Sequence, residues 1–559
     1  MPHSVEFPAI EAHEDDDQVM ADDDGVAIED EARREDVKLE EEEAVKEKSQ
    51  EVEVAEIKDE KVSKTENVEL EALLFDDDDD DDDEFPSSAP AKAPSSSSPS
   101  SSRSKSPVSA PVKASDPEVM RSFYQRLFPW RQLFHWLNHG PTPTNDFANR
   151  EFAFTLQNDA YLRYQSFATS DLLRSPYPFP PLSPKLFPSL SDLLRKDVLR
   201  LVPSRFEIGP VYSANPRDRK TLRGSSAFKP VAKELCFDID LTDYDDVRTC
   251  CDKANICKKC WAFITMAIHI VDVALRDDFG FAHILWVYSG RRGAHAWVCD
   301  KKARALDDQK RRAIAGYLEV VRGGAHSGKK VNVRRPLHPH LSRSLDILKS
   351  HFQQDVLDAQ DPWATTEQAE KLLQLLPDRR LNDSLRRKWE SSPGRNSASK
   401  WADIDAVAKT GASKSLDPRA LLEAKQDVVL EYAYPRLDVE VSKKLNHLLK
   451  SPFVVHPGTG RVCVPIDKSR LADFDPLGVP TVQELLAEID AWREGEDKED
   501  KEDNEEEGDG VAKGKGVADW EKTSLKPYVD YFRSFVAGLV RDEKGARIKR
   551  EREEDPMEF

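Results

Sequence analysis

Long apolar runs are missing from this chain. No stretch reaches the roughly 18 consecutive apolar residues that a bilayer-spanning helix needs. The acidic N-terminus also lacks the basic and apolar make-up of a signal peptide, so no membrane role is expected. Cysteine is scarce, at seven in 559 residues, and four of the seven fall within eleven positions. That usage argues for a reducing compartment and metal binding over disulfides. No internal repeat is apparent.

Positive charge is short overall, with a net charge of −22, but the deficit is local. Residues 1–85 hold 36 Asp/Glu against 8 Lys/Arg, and 494–509 hold 11 acids and two lysines. Outside these stretches the chain stands near +15, a balance that suits a polyanionic ligand such as nucleic acid. The first stretch ends in eight aspartates (76–83) and passes into a Pro/Ser tract. It cannot bury enough apolar surface to offset chain entropy, so residues 1–115 are expected to be a disordered tail.

Ordered patterning begins near Asp116. "DPEVMRSFYQRLFPWRQLFHWLN" has helical spacing with a break at Pro129, and "REFAFTL" and "AYLRYQSF" alternate like a hairpin. A helix-like run covers 262–275, and "HILWVYSGRRGAHAWVCD" (283–300) reads as two strands around a glycine-bearing turn. Residues 341–430 are helical in pattern, with a polar loop at 391–399. Strand signals return at "RLDVEVS" and "GRVCVPID". After the acidic linker, Tyr528, Phe532, Phe535, Val536 and Leu539 share one helical face.

Chemistry concentrates in four places. In "KELCFDIDLTDYDDVR" Asp238 and Asp240 lie two apart, on one face of an apolar strand, with Phe237 and Ile239 on the other. Like charges so close repel, and a divalent cation between them relieves the repulsion. "RLDVEVS", read as a strand, sets Asp438 opposite inward Leu437, Val439 and Val441, with Glu440 a solvated edge charge. Carboxylates of this kind bridge two metals about 3.5–4 Å apart in enzymes that activate a hydroxyl and neutralise a leaving pyrophosphate. In "SGRRGAH" (289–295), Gly290 and Gly293 permit a tight turn, while Arg291, Arg292 and His295 offer donors to phosphate oxygens. Lys450 and His456 lie just downstream of Asp438 and favour a triphosphate pocket. Finally, Cys250, Cys251, Cys257 and Cys260 fit one closed tetrahedral zinc site of structural type. Cys236, Cys299 and Cys463 read as core residues.

These motifs together closely resemble the catalytic small subunits of eukaryotic DNA primases, in the archaeo-eukaryotic primase superfamily, over roughly residues 118–490. The resemblance implies a mixed α/β (α+β) primase catalytic fold with mixed sheets, an inserted helical subdomain and a zinc motif. Its catalytic domain would span 116–340 and 431–493, with the zinc motif at 250–260 and the helical subdomain at 341–430. Residues 494–518 would be a disordered linker, 519–545 a C-terminal helix and 546–559 a charged tail. Asp238, Asp240 and Asp438 match the family's Mg²⁺- or Mn²⁺-binding carboxylates, and the four clustered cysteines match its Zn²⁺ ligands. Ser289, Arg291, Arg292, His295, His447, Lys450 and His456 match its nucleotide-binding positions. Glu151 and Arg163 match a further pair at the site; on sequence alone they read as a cross-strand ion pair. The resemblance further implies de novo synthesis of RNA primers from ribonucleoside triphosphates on single-stranded DNA, in the nucleus. It also implies a heterodimer with an iron–sulfur-containing large subunit, within a DNA polymerase alpha complex. A self-sufficient primase–polymerase would need an initiation module of its own, and none is evident outside the tails. A silent scaffold docking replication proteins through its acidic tail would not need the three carboxylates and the basic loop.

Removing residues 1–115 is expected to leave primer synthesis intact at low salt, because a tail of the template's own charge adds no template contacts. Parallel assays of the full and shortened proteins check this; a large loss would place the tail inside the catalytic unit.

Overall fold

The computed structural model describes residues 116–139, 144–166, 187–222, 227–322, 329–411, 415–503 and 517–554. All lie in the second of the chain's two units, 107–559; the expected tail at 1–115 falls outside them.

Helix α1 (Pro117–Arg126) starts where Asp116 accepts a bond from the Glu118 N–H at 2.9 Å and Pro117 needs no partner for a missing one. Pro129 separates it from α2 (Trp130–Asn138), as the sequence indicated. Then come the hairpin strands β1 (Arg150–Thr155) and β2 (Tyr161–Gln165), helix α3 (Phe187–Leu201), and strands β3 (Arg205–Tyr212), β4 (Pro230–Ala232) and β5 (Leu235–Asp240). The long helix α4 (Lys258–Asp277) leads into β6 (Ile284–Tyr288) and β7 (Gly293–Val298), and α5 (Asp308–Leu318) follows. The expected helical insertion is present as α6 (Pro339–His351), α7 (Thr366–Leu375), α8 (Arg379–Glu390), α9 (Ser397–Lys409) and α10 (Pro418–Ala433). The chain returns through α11 (Val439–Lys443), β8 (Leu449–Lys450), β9 (Pro465–Ile466), α12 (Val482–Asp503) and α13 (Lys526–Glu554). No helix of the described residues is long and apolar enough to cross a membrane.

Two sheets result. One has the order β2-β1-β3-β4, with β8 also pairing β3; the other has the order β5-β7-β6-β9. The mixed α/β class is as expected, but among the described residues every strand pairing is antiparallel where mixed sheets were anticipated. Two of these pairings, β1–β2 and β6–β7, are hairpins, and hairpins pair antiparallel; the others are set by which strands meet in packing. On α13 the deepest residues are Val529, Phe532, Val536 and Leu539, with Tyr528 and Phe535 half-buried. The buried stripe is thus rotated slightly from the face expected.

A buried ion pair joins the two sheets. Arg150 opens β1 and Glu234 immediately precedes β5; both are fully buried, and their side chains meet at 2.7 and 3.0 Å. His139 bridges Glu234 and Asp146 at 3.0 Å to each. Burial works against the Glu234 charge, but Arg150 and His139 hold its carboxyl well below the usual range.

Glu234→Gln leaves the Arg150 charge buried and uncompensated, so a loss of about 3–5 kcal/mol is expected. A carboxyl held low in the folded state stabilises it above the unfolded pKa and loses that contribution as pH falls through the folded value. The gap between parent and variant should therefore be full at neutral pH and narrow only below the usual glutamate range. Denaturant unfolding across pH checks this, and a gap that widens on acidification would contradict it.

Candidate active site

Strand β5 buries Leu235, Phe237 and Ile239 completely and leaves Asp238 and Asp240 with side chains 28% and 30% exposed. The alternation places both acids at the open side of the sheet, as the sequence indicated. Asp438 joins them through the backbone: its N–H donates to the Asp238 carbonyl at 3.1 Å, in an isolated bridge. The expected strand at "RLDVEVS" is absent, however. Asp438 caps α11, accepting from the Glu440 N–H at 3.0 Å, and the residues after it turn helical. Leu437 and Val441, four apart, satisfy a helical spacing as well as alternation, and the capping bond decides between them. Glu440 is exposed and pairs with Lys443 at 2.7 Å, so it stays apart from the other acids.

Crowding shows in the Asp238 carboxyl, pushed up to about 7 by burial and by Asp240 and Asp438, with Lys450 opposing. A cation is already drawn in: the Arg292 Nε lies 2.7 Å from both Asp240 oxygens. All-oxygen donors under mutual repulsion fit a hard divalent cation in kind. They are gathered but not converged. Among the described residues, only the cysteine cluster brings three or more ligand atoms within 4.8 Å of one another.

The β6–β7 turn stands directly beside these acids. β7 pairs with β5 so that His295 faces Asp238 and Gly293 faces Asp240. Any Cβ at Gly293 would sit 2.3 Å from the Ile239 carbonyl, so only glycine permits this approach. Gly290, at φ +89°, makes the turn, and a Cβ there would meet His456 at 2.6 Å. Ser289 closes the loop, its hydroxyl accepting from the Gly293 N–H at 3.0 Å and its own N–H donating to the Gly293 carbonyl at 2.9 Å. Arg291 is half-buried, with its carbonyl taking the Tyr288 hydroxyl at 3.0 Å. The Lys450 ammonium reaches the Ser289 carbonyl at 3.5 Å. His295 lies 3.5 Å from Asp238. Burial, with the Lys450 charge, holds both His295 and His456 down at about 3, so both rings are neutral near pH 7. His447 lies between α11 and β8, its carbonyl accepting from the Lys233 ammonium.

Glu151 and Arg163 form the cross-strand pair read from the sequence, at 3.3 Å. Glu151 is fully buried under Gly209 and also takes the Tyr212 hydroxyl at 3.0 Å; burial raises its carboxyl above the usual range. The pair connects to the loop along the sheet: β3 lies between β1 and β8, with Glu207 opposite Lys450.

The four cysteines place their sulfurs within 4.8 Å of one another, with Cys250 and Cys257 at 3.5 Å. Cys257 caps α4. Burial acts against its thiolate, but bonds from the Cys260 backbone and from the neighbouring thiols hold it at about 7. The buried Arg248 guanidinium binds the Lys253 and Asn255 carbonyls and approaches the Cys260 sulfur at 3.9 Å, so a positive charge backs the cluster. The chemistry and spacing fit zinc. Cys236, Cys299 and Cys463 are core residues, as expected.

Two residues escaped the sequence reading. Asp243, three after Asp240, returns on the 3₁₀ turn Leu241–Tyr244, and its carboxyl is pushed up to about 6 by desolvation, Asp240 and Asp438. The three-residue spacing was the available signal. Arg436, two before Asp438, clamps this turn; nothing in its local pattern announces that.

The family model of DNA primase small subunits matches residues 237–468. Among curated proteins, a DNA primase small subunit of Schizosaccharomyces pombe is 54% identical over 444 residues, covering 78% of this chain and 93% of that protein. The Saccharomyces cerevisiae DNA primase small subunit is 41% identical over 450 residues, covering 79% and 97%. That of Drosophila melanogaster is 37% identical over 454 residues, covering 78% and 95%. On this similarity, and with the acid-bearing strand and basic turn inside the matched region, the chain belongs to the DNA primase small subunit family.

Proposed function

We propose that this chain makes short RNA primers de novo on single-stranded DNA from ribonucleoside triphosphates, as a DNA-directed RNA polymerase of the nucleotidyltransferase class. The observation that carries the reading is the register of β5 on β7, which sets acids for metal directly against a turn rich in phosphate donors. Asp238, Asp240 and Asp438 are assigned to two Mg²⁺ or Mn²⁺ ions. When bound, such ions lower the pKa of the attacking 3′-hydroxyl and offset the charge of the departing pyrophosphate. Arg291, Arg292 and Lys450 supply positive charge to the triphosphate. The neutral rings of His295 and His456 can only donate or accept hydrogen bonds, so they orient phosphate oxygens without adding charge. Ser289 shapes the turn, His447 is assigned to the nucleotide by resemblance, and Glu151 anchors Arg163 at the site's edge. The cysteine cluster is assigned a structural Zn²⁺.

Starting a chain requires two nucleotides held at once, and the basic turn beside the acids is assigned to one of them. The second is assigned to a partner. The relatives' names specify a small subunit, which supports a heterodimer with a large subunit; an iron–sulfur large subunit, a DNA polymerase alpha complex and a nuclear location follow from the family reading. Incorporation of labelled ribonucleotide on a poly-pyrimidine template, with and without the large subunit, tests the reading. Activity without the partner would favour a self-sufficient primase, and none with it would favour a scaffold.

Arg292→Ala is expected to raise the nucleotide KM by on the order of tenfold to a hundredfold, the loss of charge-assisted bonds to phosphate. Single-stranded DNA binding should change little; equal losses in both would sink the assignment.

The two metal assignments predict opposite effects on stability. Asp238→Asn removes a charge from a crowded trio, so in metal-free buffer the variant should melt at or above the parent temperature, yet make no primers. Zinc binding is part of folding energy, so Cys257→Ser should release zinc and lower the melting temperature, with activity lost only as the fold is lost. Melting, zinc content and primer synthesis on the same preparations decide the matter: normal turnover in the Asn variant, or full stability in the Ser variant, would overturn the roles.

A further inference from the structure

We propose that Arg436 is a positioning residue that sets Asp438 against the Asp238/Asp240 pair, an inference that rests on the assignment of these acids to divalent metal. Asp438 comes from a segment some 200 residues beyond β5; its N–H donates to the Asp238 carbonyl at 3.1 Å, and Ser442, on α11 just after it, donates to the Cys236 carbonyl at 2.7 Å. These bonds hold Asp438 and the residues that follow it. Arg436 holds the residues that precede it.

Its N–H donates to the Tyr244 hydroxyl at 2.9 Å, and its Nη1 donates to the Asp243 carbonyl at 2.6 Å and pairs with Asp246. Its Nη2 donates to the Glu431 carbonyl at 3.2 Å, and the guanidinium lies 5.3 Å from the Tyr244 ring centroid. Tyr244 is fully buried and closes the 3₁₀ turn that Asp240 caps. The side chain therefore fastens the segment carrying Asp438 to the turn issuing from Asp240, while also gripping the end of α10. Asp246 is shared with Lys330, whose N–H reaches Glu431 at 3.3 Å, so the clamp is tied at a second point.

The Arg436 side chain is only 10% exposed, and its contacts all run toward turn and helix backbone, Asp246 and Tyr244. It thus acts on the metal carboxylates through the chain and makes no direct contact with substrate. A planar fork that serves several acceptors at once suits arginine and not lysine. Groups that orient ligands from behind typically govern metal affinity.

The test measures Mn²⁺ binding to the full chain by electron paramagnetic resonance without nucleotide, beside Mg²⁺-dependent priming by the heterodimer, melting temperature and zinc content. The variants are Arg436→Lys, Arg436→Ala and Tyr244→Phe, with Asp438→Asn as control. Arg436→Lys and Tyr244→Phe should hold zinc and melt near the parent, yet bind Mn²⁺ roughly tenfold or more weakly. Their priming should recover as Mg²⁺ is raised, with an unchanged nucleotide KM at saturating metal. Arg436→Ala should show the larger deficit. Unchanged Mn²⁺ affinity in folded Arg436→Lys and Tyr244→Phe would overturn the clamp, as would activity falling only in step with melting temperature. If Asp438→Asn keeps parental Mn²⁺ binding, the metal assignment itself fails, separately from the clamp.

Discussion

Like charge held at close quarters is the constraint on which the rest of this fold depends. Asp238, Asp240, Asp243 and Asp438 crowd one edge of a sheet, and the Asp238 carboxyl pays for it with a pKa near 7. Repulsion of this sort would spread a loose arrangement apart. The chain resists by attaching the acids to elements that cannot yield easily. β5 is anchored by three fully buried apolar side chains on its far face, and its register with β7 runs unbroken from Leu235 to Asp240. The cations around the acids are placed by the same register. Gly293 lets β7 approach the β5 backbone closely, and Arg292, next to it, meets Asp240.

The second requirement is that two sheets keep their relation. The first carries Glu151, Arg163 and Lys450, and the second carries the acids and the basic turn. A burial-driven interface alone tolerates sliding, because apolar contact is non-directional. The Arg150–Glu234 pair is directional, with two parallel bonds and His139 behind it. A buried pair of this kind is weak evidence of net stability; its effect here is on registry, holding the start of β1 against the start of β5. Arg304 pairs with Glu543 on α13, adding a directional contact to a helix already seated by its buried Val529, Phe532, Val536 and Leu539.

Much of this was legible in the sequence because it depends on local pattern. The alternation around Asp238 and Asp240, the glycines of the β6–β7 turn, the Pro129 break and the cysteine spacing each encode their geometry within about ten residues. What failed was "RLDVEVS", where Leu437 and Val441 satisfy strand and helix periods together and the capping bond that Asp438 accepts from the Glu440 N–H tips the balance. What was missed was longer in range. Arg436 reaches across some 190 residues to Asp246 and Tyr244, and no periodicity reports such a partner. The sheets' antiparallel order likewise depends on which strands meet, a matter of packing that alternation leaves open.

Charge state divides the donors of the basic turn into two kinds. His295 and His456 would ordinarily titrate near neutrality, but burial beside Lys450 and the arginines keeps both unprotonated. Protonating them would add two positive charges beside Lys450, and burial disfavours it. Neutral rings do not switch between about pH 5 and 8, where a histidine of ordinary pKa would. Asp238 and Asp243, pushed up to about 7 and about 6, do titrate in that range. Sensitivity to pH in this site therefore concentrates on the crowded carboxylates and not on the two histidines beside the basic turn.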